Sequence, residues 1–252
     1  MNWKYLNTGI KDGCSNMNID IQLAQNCRLD EAYFRLYRWK PYCISIGAHQ
    51  DLNSIDAVKA AEDGIDIVKR PTGGRAILHS EELTYSVIYP IDKYFSFKNL
   101  YYEINCALLK GLQIFDQRLS GAELENAEPD LSSFYKRDLG EICFAASAKS
   151  EVKFKGKKLV GSAQRKLKNS VLQHGSILCG GFHKNIAAYL KNSGTSVPKI
   201  EEEINNRTTD LKEILKQKID YNTLAESLRK GFESYFNFAI NFVAEDNLVL
   251  NT

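Results

Sequence analysis

The chain has no long apolar run, little proline and no closely paired cysteines. No segment approaches the eighteen or so consecutive apolar residues that a membrane span needs. Its start, MNWKYLNTGIKDG, lacks the charged, then apolar, then small-residue layout of a secretion signal. Six cysteines stand far apart, with no Cys-x-x-Cys pair and no Cys/His cluster at zinc spacing, so neither a disulfide framework nor a metal site is expected. Free thiols suit a reducing compartment, and the expected location is the cytoplasm. The Gly-Lys-Ser/Thr of a P-loop and the dinucleotide-binding fingerprint are both missing. There is no internal repeat, no low-complexity tract and no Pro/Gly/Ser-rich linker between halves. A single domain over 1–252 is therefore expected, with 182–252 as a mostly helical C-terminal part.

What is present is ordinary in bulk: 252 residues, 44% hydrophobic and 25% charged, enough to bury one large core. The net charge of +2 is unevenly spread. Between Lys149 and Lys168 lie eight Lys/Arg and one acid, Glu151, a local +7 that leaves about −5 for the rest. Such a stretch is either a solvated hairpin face or a surface that steers acidic partners. It lacks the interleaved aromatics that stacking on bases favours, so nucleic acid is not an expected partner.

The hydrophobic pattern alternates between strand and helix periods. Strands are predicted at WKYLNTG, YFRLYRW, CISIG, IDIVKR, AILH, ELTYSVIYP and VLQHGSIL, with a short one at FAINFV. Helices are predicted from Ser15 to Leu29, from Ser54 to Gly64, over 99–115, and in DLKEILKQ and NTLAESLRKGFESYF. SEVKFKGKKLVGSAQ reads as a hairpin turning at Lys155-Gly156, and 116–141 as an acidic, polar loop. The class is α/β in the mixed (α+β) sense.

Three stretches and one thiol stand out. In KRPTGGRAILHS, Gly73 and Gly74 lie between Arg70 and Arg75, and His79 ends the following strand. Paired glycines allow positive φ and close ligand approach, and two guanidinium forks suit an anion. The same residues equally describe a tight turn with surface arginines. In GKKLVGSAQ, Lys158 precedes the small run Gly161-Ser162-Ala163, where an ammonium aimed into an open cleft would hold a carbonyl or phosphate oxygen; an exposed hairpin lysine is the plain alternative. Strand alternation sends Lys157 to the opposite face. In LQHGS, His174 and Gly175 mark either a hydrogen-bonded core histidine or a close backbone approach. Cys143 lies between a polar loop and AASAKS, small residues that leave a thiol accessible, whereas the other five cysteines fall in or near helices and strands. A nearby cation that lowered its pKa by one unit would raise the thiolate fraction at pH 7 from about 3% to about 24%.

Taken in order, RPTGGRAILH, the Cys143-Phe144 pair, GKKLVGSAQ and LQHGSIL resemble the biotin/lipoate protein ligase superfamily, and most nearly its cysteine-dependent octanoyltransferases. The resemblance runs from about Met1 to about Leu190. It implies a central mixed β-sheet flanked by helices, a catalytic domain like those of class II aminoacyl-tRNA synthetases and biotin protein ligases. It implies that Arg70, Thr72, Gly73, Gly74 and Arg75 border a fatty-acyl pocket, that Lys158 contacts the acyl carbonyl, and that Cys143 accepts the acyl group. His79, Gly161, Ser162, Ala163, His174 and Gly175 are its further candidate binding residues, and AILH, LTYSVI and SIGAH the candidate walls. The implied partners are octanoyl-acyl carrier protein as donor and a lipoyl domain or glycine-cleavage H-type carrier protein as acceptor, with no cofactor. An ATP-dependent lipoate ligase, which would need ATP and Mg, and an amidotransferase between carrier proteins are the alternatives. Two departures stand out: AASAKS replaces a small-Pro-Ser-aromatic run, and Ser80 replaces an aspartate that would partner His79.

Overall fold

A computed structural model describes residues 1–92, 95–126, 150–191 and 197–243. Strand β1 (Asn2–Lys11) enters helix α1 (Gly13–Gln25), followed by β2 (Glu31–Trp39) and β3 (Cys43–Ile46). A 3-10 turn (Leu52–Ser54) and helix α2 (Ala57–Glu62) lead to β4 (Asp66–Lys69), β5 (Ile77–His79) and β6 (Glu82–Pro90). After α3 (Phe97–Phe115) and a 3-10 turn (Gln117–Gly121) come β7 (Ala122–Leu124), β8 (Val152–Phe154), β9 (Lys157–Lys158), β10 (Val160–Lys166) and β11 (Ser170–Leu178). A 3-10 stretch (Phe182–Tyr189), α4 (Val197–Arg207), α5 (Leu211–Leu215), α6 (Tyr221–Phe236) and β12 (Asn241–Phe242) complete the described part. No helix among the described residues is long and apolar enough to cross a membrane.

The main sheet is mixed, in the order β10-β11-β6-β2-β1-β12, with β12, β1 and β2 parallel and the remaining neighbours antiparallel. Period-2 alternation divides its side chains between two cores. On one face Phe34, Leu36, Tyr85 and Val87 meet Ile104, Leu108, Leu112, Leu228 and Phe232 of α3 and α6. Those helices cross at a glycine pair: a Cβ on Gly231 would lie 2.3 Å from the backbone nitrogen of Gly111, so no larger residue fits without separating them. On the other face Leu6, Tyr33, Ile88 and Leu172 pack against Ile19 and Leu23 of α1. A small sheet, β4-β3-β5, stands beside α1 with its own core of Ile44, Ile46, Ala76 and Leu78.

Three boundaries differ from the sequence expectation, each because an acid caps or a side chain packs. Helix α1 starts at Gly13, ahead of Ser15, because Asp12 accepts the Ser15 N–H at 2.8 Å, and it stops at Gln25 rather than at Leu29. Asp56, not Ser54, caps α2, while Ser54 closes the preceding 3-10 turn. The described part of 116–141 is not all loop: Leu119 is buried in a 3-10 turn, and β7 pairs with β8.

The hairpin at Lys155-Gly156 is present. Both residues have positive φ, 49° and 77°, the turn conformation whose twist matches two antiparallel strands. At Leu159 the chain leaves this small sheet and enters the main one as β10. Lys158 is the last residue before that switch.

Candidate active site

A narrow slot lies between the α1 face of the main sheet and the small sheet. Its apolar walls are Met17, Tyr37, Trp39 and Ile77. Arg70, His79, Lys158, Gly161, Ser162, Ala163, His174 and Gly175, eight of the residues singled out in the sequence, line it together with Ser45, Thr84 and Ser176. The three predicted wall segments contribute Ser45, Ile77, His79 and Thr84. Thr72, Gly73, Gly74 and Arg75 are not among its lining residues. Cys143 lies outside the described residues.

Lys158 is not an exposed hairpin lysine. It is 1% exposed, and its Nζ lies 3.0 Å from Oε2 of Glu151, itself buried. Strand alternation holds here, since Lys157 turns outward and donates to the Asn205 carbonyl. Glu151 also accepts the Ser162 N–H at 3.1 Å through Oε1, so that amide, a candidate for stabilising an oxyanion, is already occupied. The Ser162 hydroxyl is tied to Tyr85 Oη at 2.6 Å and to Asn105 Oδ1 at 3.2 Å. Lys153 pairs with Glu125, and together with the burial of Lys158 this leaves the basic stretch less charged at its surface than its composition suggests.

Arg70 corrects the reading of an arginine fork for an anion. Its Nη1 donates to the carbonyl and hydroxyl of Ser45 at 2.8 and 3.1 Å, while Nε and Nη2 reach the carbonyls of Gly73 and Arg75 at 3.2, 2.9 and 2.7 Å. The guanidinium therefore ties the Gly-rich turn to β3, and carbonyls hold the donors that an anion would need. Of the two glycines only Gly74 has positive φ, 93°. A Cβ on the facing Gly47 would lie 1.8 Å from the Gly74 carbonyl oxygen, so the turn rests directly on the end of β3. Arg75 is half-buried and does not line the slot.

The two histidines sit in separate polar networks. His174 Nε2 is 2.6 Å from Thr72 Oγ1, and Nδ1 is 3.6 Å from Asp20 Oδ2. Asp20 is fully buried but held ionised below the usual carboxylate range: burial pushes its pKa up, and Arg35 at 2.7 Å, His174 and Ser86 outweigh it. Burial likewise lowers the His174 pKa more than Asp20 raises it.

His79 has the acidic partner that Ser80 seemed to remove. Its Nδ1 donates to Glu82 Oε1 at 2.9 Å, and the same oxygen accepts from Thr84 and Ser176 at 2.5 and 2.7 Å. Burial raises the Glu82 pKa, but His79 and these donors prevail, leaving it below its ordinary value. Nε2 of His79 is 2.8 Å from Ser45 Oγ, and the ring stacks on Trp39 with centroids 4.1 Å apart.

Glu82, Glu151 and Asp20 were missed as site residues. Two signals were present: Glu151 is the lone acid of a basic stretch, and Glu82 shares strand parity with Thr84 on the inward face of β6.

The fold is that of lipoate-protein ligases. A lipoate-protein ligase A bound with ATP superposes with a TM-score of 0.75 at 19% identity, over 97% of this chain and 89% of that one. The bipartite archaeal ligase of Thermoplasma acidophilum, solved in a study of that ligase and its E2 lipoyl domain, gives 0.77 at 19% identity, over 99% and 90%. The chain belongs to the lipoyl protein ligase A/B catalytic domain family, whose model matches residues 12–233. Octanoyltransferase LipM of Clostridioides difficile is 34% identical over 97% of this chain and 90% of its own length. The LipM of Staphylococcus aureus is 32% identical over 94% and 88%.

Proposed function

We propose that this enzyme, a protein N-octanoyltransferase, moves an octanoyl or lipoyl group from a carrier-protein thioester through Cys143 to a lysine of a lipoyl-accepting protein. The observation that carries this reading is the slot itself, where the buried Lys158 ammonium meets a wall of Met17, Tyr37, Trp39 and Ile77. An octanoyl chain has six methylenes, and at about 0.8 kcal/mol each their burial supplies roughly 5 kcal/mol. The acyl carbonyl faces Lys158, which polarises it and stabilises the oxyanion. Glu151 holds the lysine in place.

The Cys143 thiolate attacks the donor thioester, forming an enzyme thioester and releasing the carrier thiol. The acceptor amine then attacks, the cysteine leaves as thiolate, and an amide forms. One difficult transfer is divided into two, with a thiol exchanged for a thiol in the first and a more stable product in the second. His79 is the better placed of the two histidines to take the proton. The Glu82 carboxylate fixes Nδ1 as the protonated nitrogen and leaves Nε2 as an acceptor, engaged by the Ser45 hydroxyl at 2.8 Å until a proton reaches it. His174 is held by Thr72 and Asp20, and burial disfavours its charged form. The reaction takes place in the cytoplasm within one catalytic domain and uses no nucleotide or metal. The exposed Lys155, Arg165, Lys166 and Lys168 draw acidic carrier domains, octanoyl-acyl carrier protein as donor and a lipoyl domain or glycine-cleavage H-type protein as acceptor.

The test is incubation with octanoyl-acyl carrier protein, followed by mass spectrometry for a hydroxylamine-labile octanoyl adduct. The adduct is expected in the wild type and not in Cys143→Ala; its persistence in the variant rejects the nucleophile. Paired donors decide the class. Transfer from octanoate plus ATP, with lipoate-dependent pyrophosphate exchange, would make the protein a ligase. Preference for an octanoylated H-type carrier over acyl carrier protein would make it an amidotransferase.

A further inference from the structure

A second cleft, of about 460 Å³, lies where the end of β2 meets the start of α6. It shares Trp39 with the acyl slot and has otherwise different walls, with Arg38, Tyr42, Glu81, Lys212, Lys218 and Tyr221 among its polar side chains. Its central feature is Arg38. The guanidinium carbon lies 3.6 Å from the centre of the Tyr221 ring, so stacking sets the orientation of the group. It has no hydrogen bond or ion pair among the described residues, and its Nε is buried without a partner. Nε is closed to solvent, whereas Nη1 and Nη2 are neither hydrogen-bonded among the described residues nor buried, and they are the donors that Arg38 offers to an acceptor in the cleft. Arg35 and Arg70, which unlike the half-buried Arg38 are fully buried, have their donors engaged by carbonyls, hydroxyls and a carboxylate. Arg38 is built differently.

Lys212 and Lys218 are exposed, and neither has an ion pair among the described residues. Glu81 is the one acid lining the cleft, and its Oε2 accepts the Phe182 N–H at 3.2 Å. Three cations against one carboxylate leave the lining at +2. A phosphate monoester carries about −1.5 to −2 at pH 7, offers several acceptor oxygens, and matches both the fork of Arg38 and the point charges of the lysines. The cleft is larger than a bare phosphate needs, and the rings of Tyr42 and Tyr221 give the remainder of such a molecule an apolar surface.

We propose that this cleft is a binding site for a phosphate-bearing small molecule, held by Arg38, Lys212 and Lys218 and separate from the acyl slot. The proposal does not depend on the acyl-transfer reading. It is tested by titrating the full chain with inorganic phosphate in a calorimeter, against chloride at the same ionic strength. Saturable binding is expected, weakened roughly tenfold or more in Lys212→Gln/Lys218→Gln and in Arg38→Gln. The double lysine variant changes only exposed side chains and so keeps the test valid if Arg38→Gln does not fold. Octanoate in the acyl slot is expected not to compete. Heat no different from chloride, unchanged affinity in the double lysine variant, or displacement by octanoate would each overturn the proposal.

Discussion

Replacing Lys158 tests the site most directly, but the structure changes what the result means. The Nζ–Oε2 separation is 3.0 Å and both side chains are buried. At an effective dielectric of about 20, that distance corresponds to about 5–6 kcal/mol of attraction. Removing one partner strips the other buried charge of this ion pair, at a cost of about 3–5 kcal/mol. Against a total stability of roughly 5–15 kcal/mol this is large, so an inactive Lys158→Ala protein could simply be unfolded. The informative variant is Lys158→Met/Glu151→Gln. It removes both charges and keeps an amide oxygen for the Ser162 N–H. Urea denaturation is expected to show Lys158→Ala destabilised by about 3–5 kcal/mol and the double variant by clearly less. Single-turnover octanoyl transfer is expected to fall by orders of magnitude in both. An unchanged urea midpoint for Lys158→Ala would refute the buried ion pair. A double variant that transfers at the wild-type rate would remove Lys158 from the chemistry.

Two further outcomes follow from the packing. Burial lowers the His183 pKa to about 4 from an ordinary 6.5, so below pH 6.5 the unfolded chain binds the proton first. Stability is therefore expected to fall by about 3 kcal/mol as the pH drops from 6.5 to 4, with His174 acting in the same direction; urea midpoints of wild type and His183→Asn check it, and an equal slope in both would exclude His183 as the source. A Cβ on Gly175 would lie 2.2 Å from the Gly161 carbonyl oxygen and 2.8 Å from the Tyr85 ring. Gly175→Ala is thus expected to cost about 1–3 kcal/mol and to raise the KM for an octanoyl thioester by displacing β10; unchanged melting and kinetics would contradict the close approach of β10 and β11.

Local patterns made much of this legible. Alternation in YFRLYRW and ELTYSVIYP located β2 and β6, and the Lys155-Gly156 turn was readable because few dipeptides suit two positive φ values. The eight predicted lining residues lie in three motifs, and each motif is short enough to be read locally. Partnership was not legible. Arg70 looks like an anion ligand in sequence, because nothing local shows that Ser45, twenty-five positions earlier, will present its carbonyl. The partner of His79 is not legible from its immediate neighbour Ser80, because backbone geometry brings the third residue after it, Glu82, within 2.9 Å.

The amino-acid order determined which segments become strands and helices, where the turns fall, and which family the chain resembles, since all of these depend on neighbours within a few residues. Only the tertiary structure decided what the charged groups do: that Lys158 is buried with Glu151, that Arg70 braces a turn, and that Arg38 is left with unused donors beside Tyr221. The physical reason is that burial and pairing depend on groups far apart in sequence, and in a low-dielectric interior those partners decide whether a charge is structural or available to a ligand.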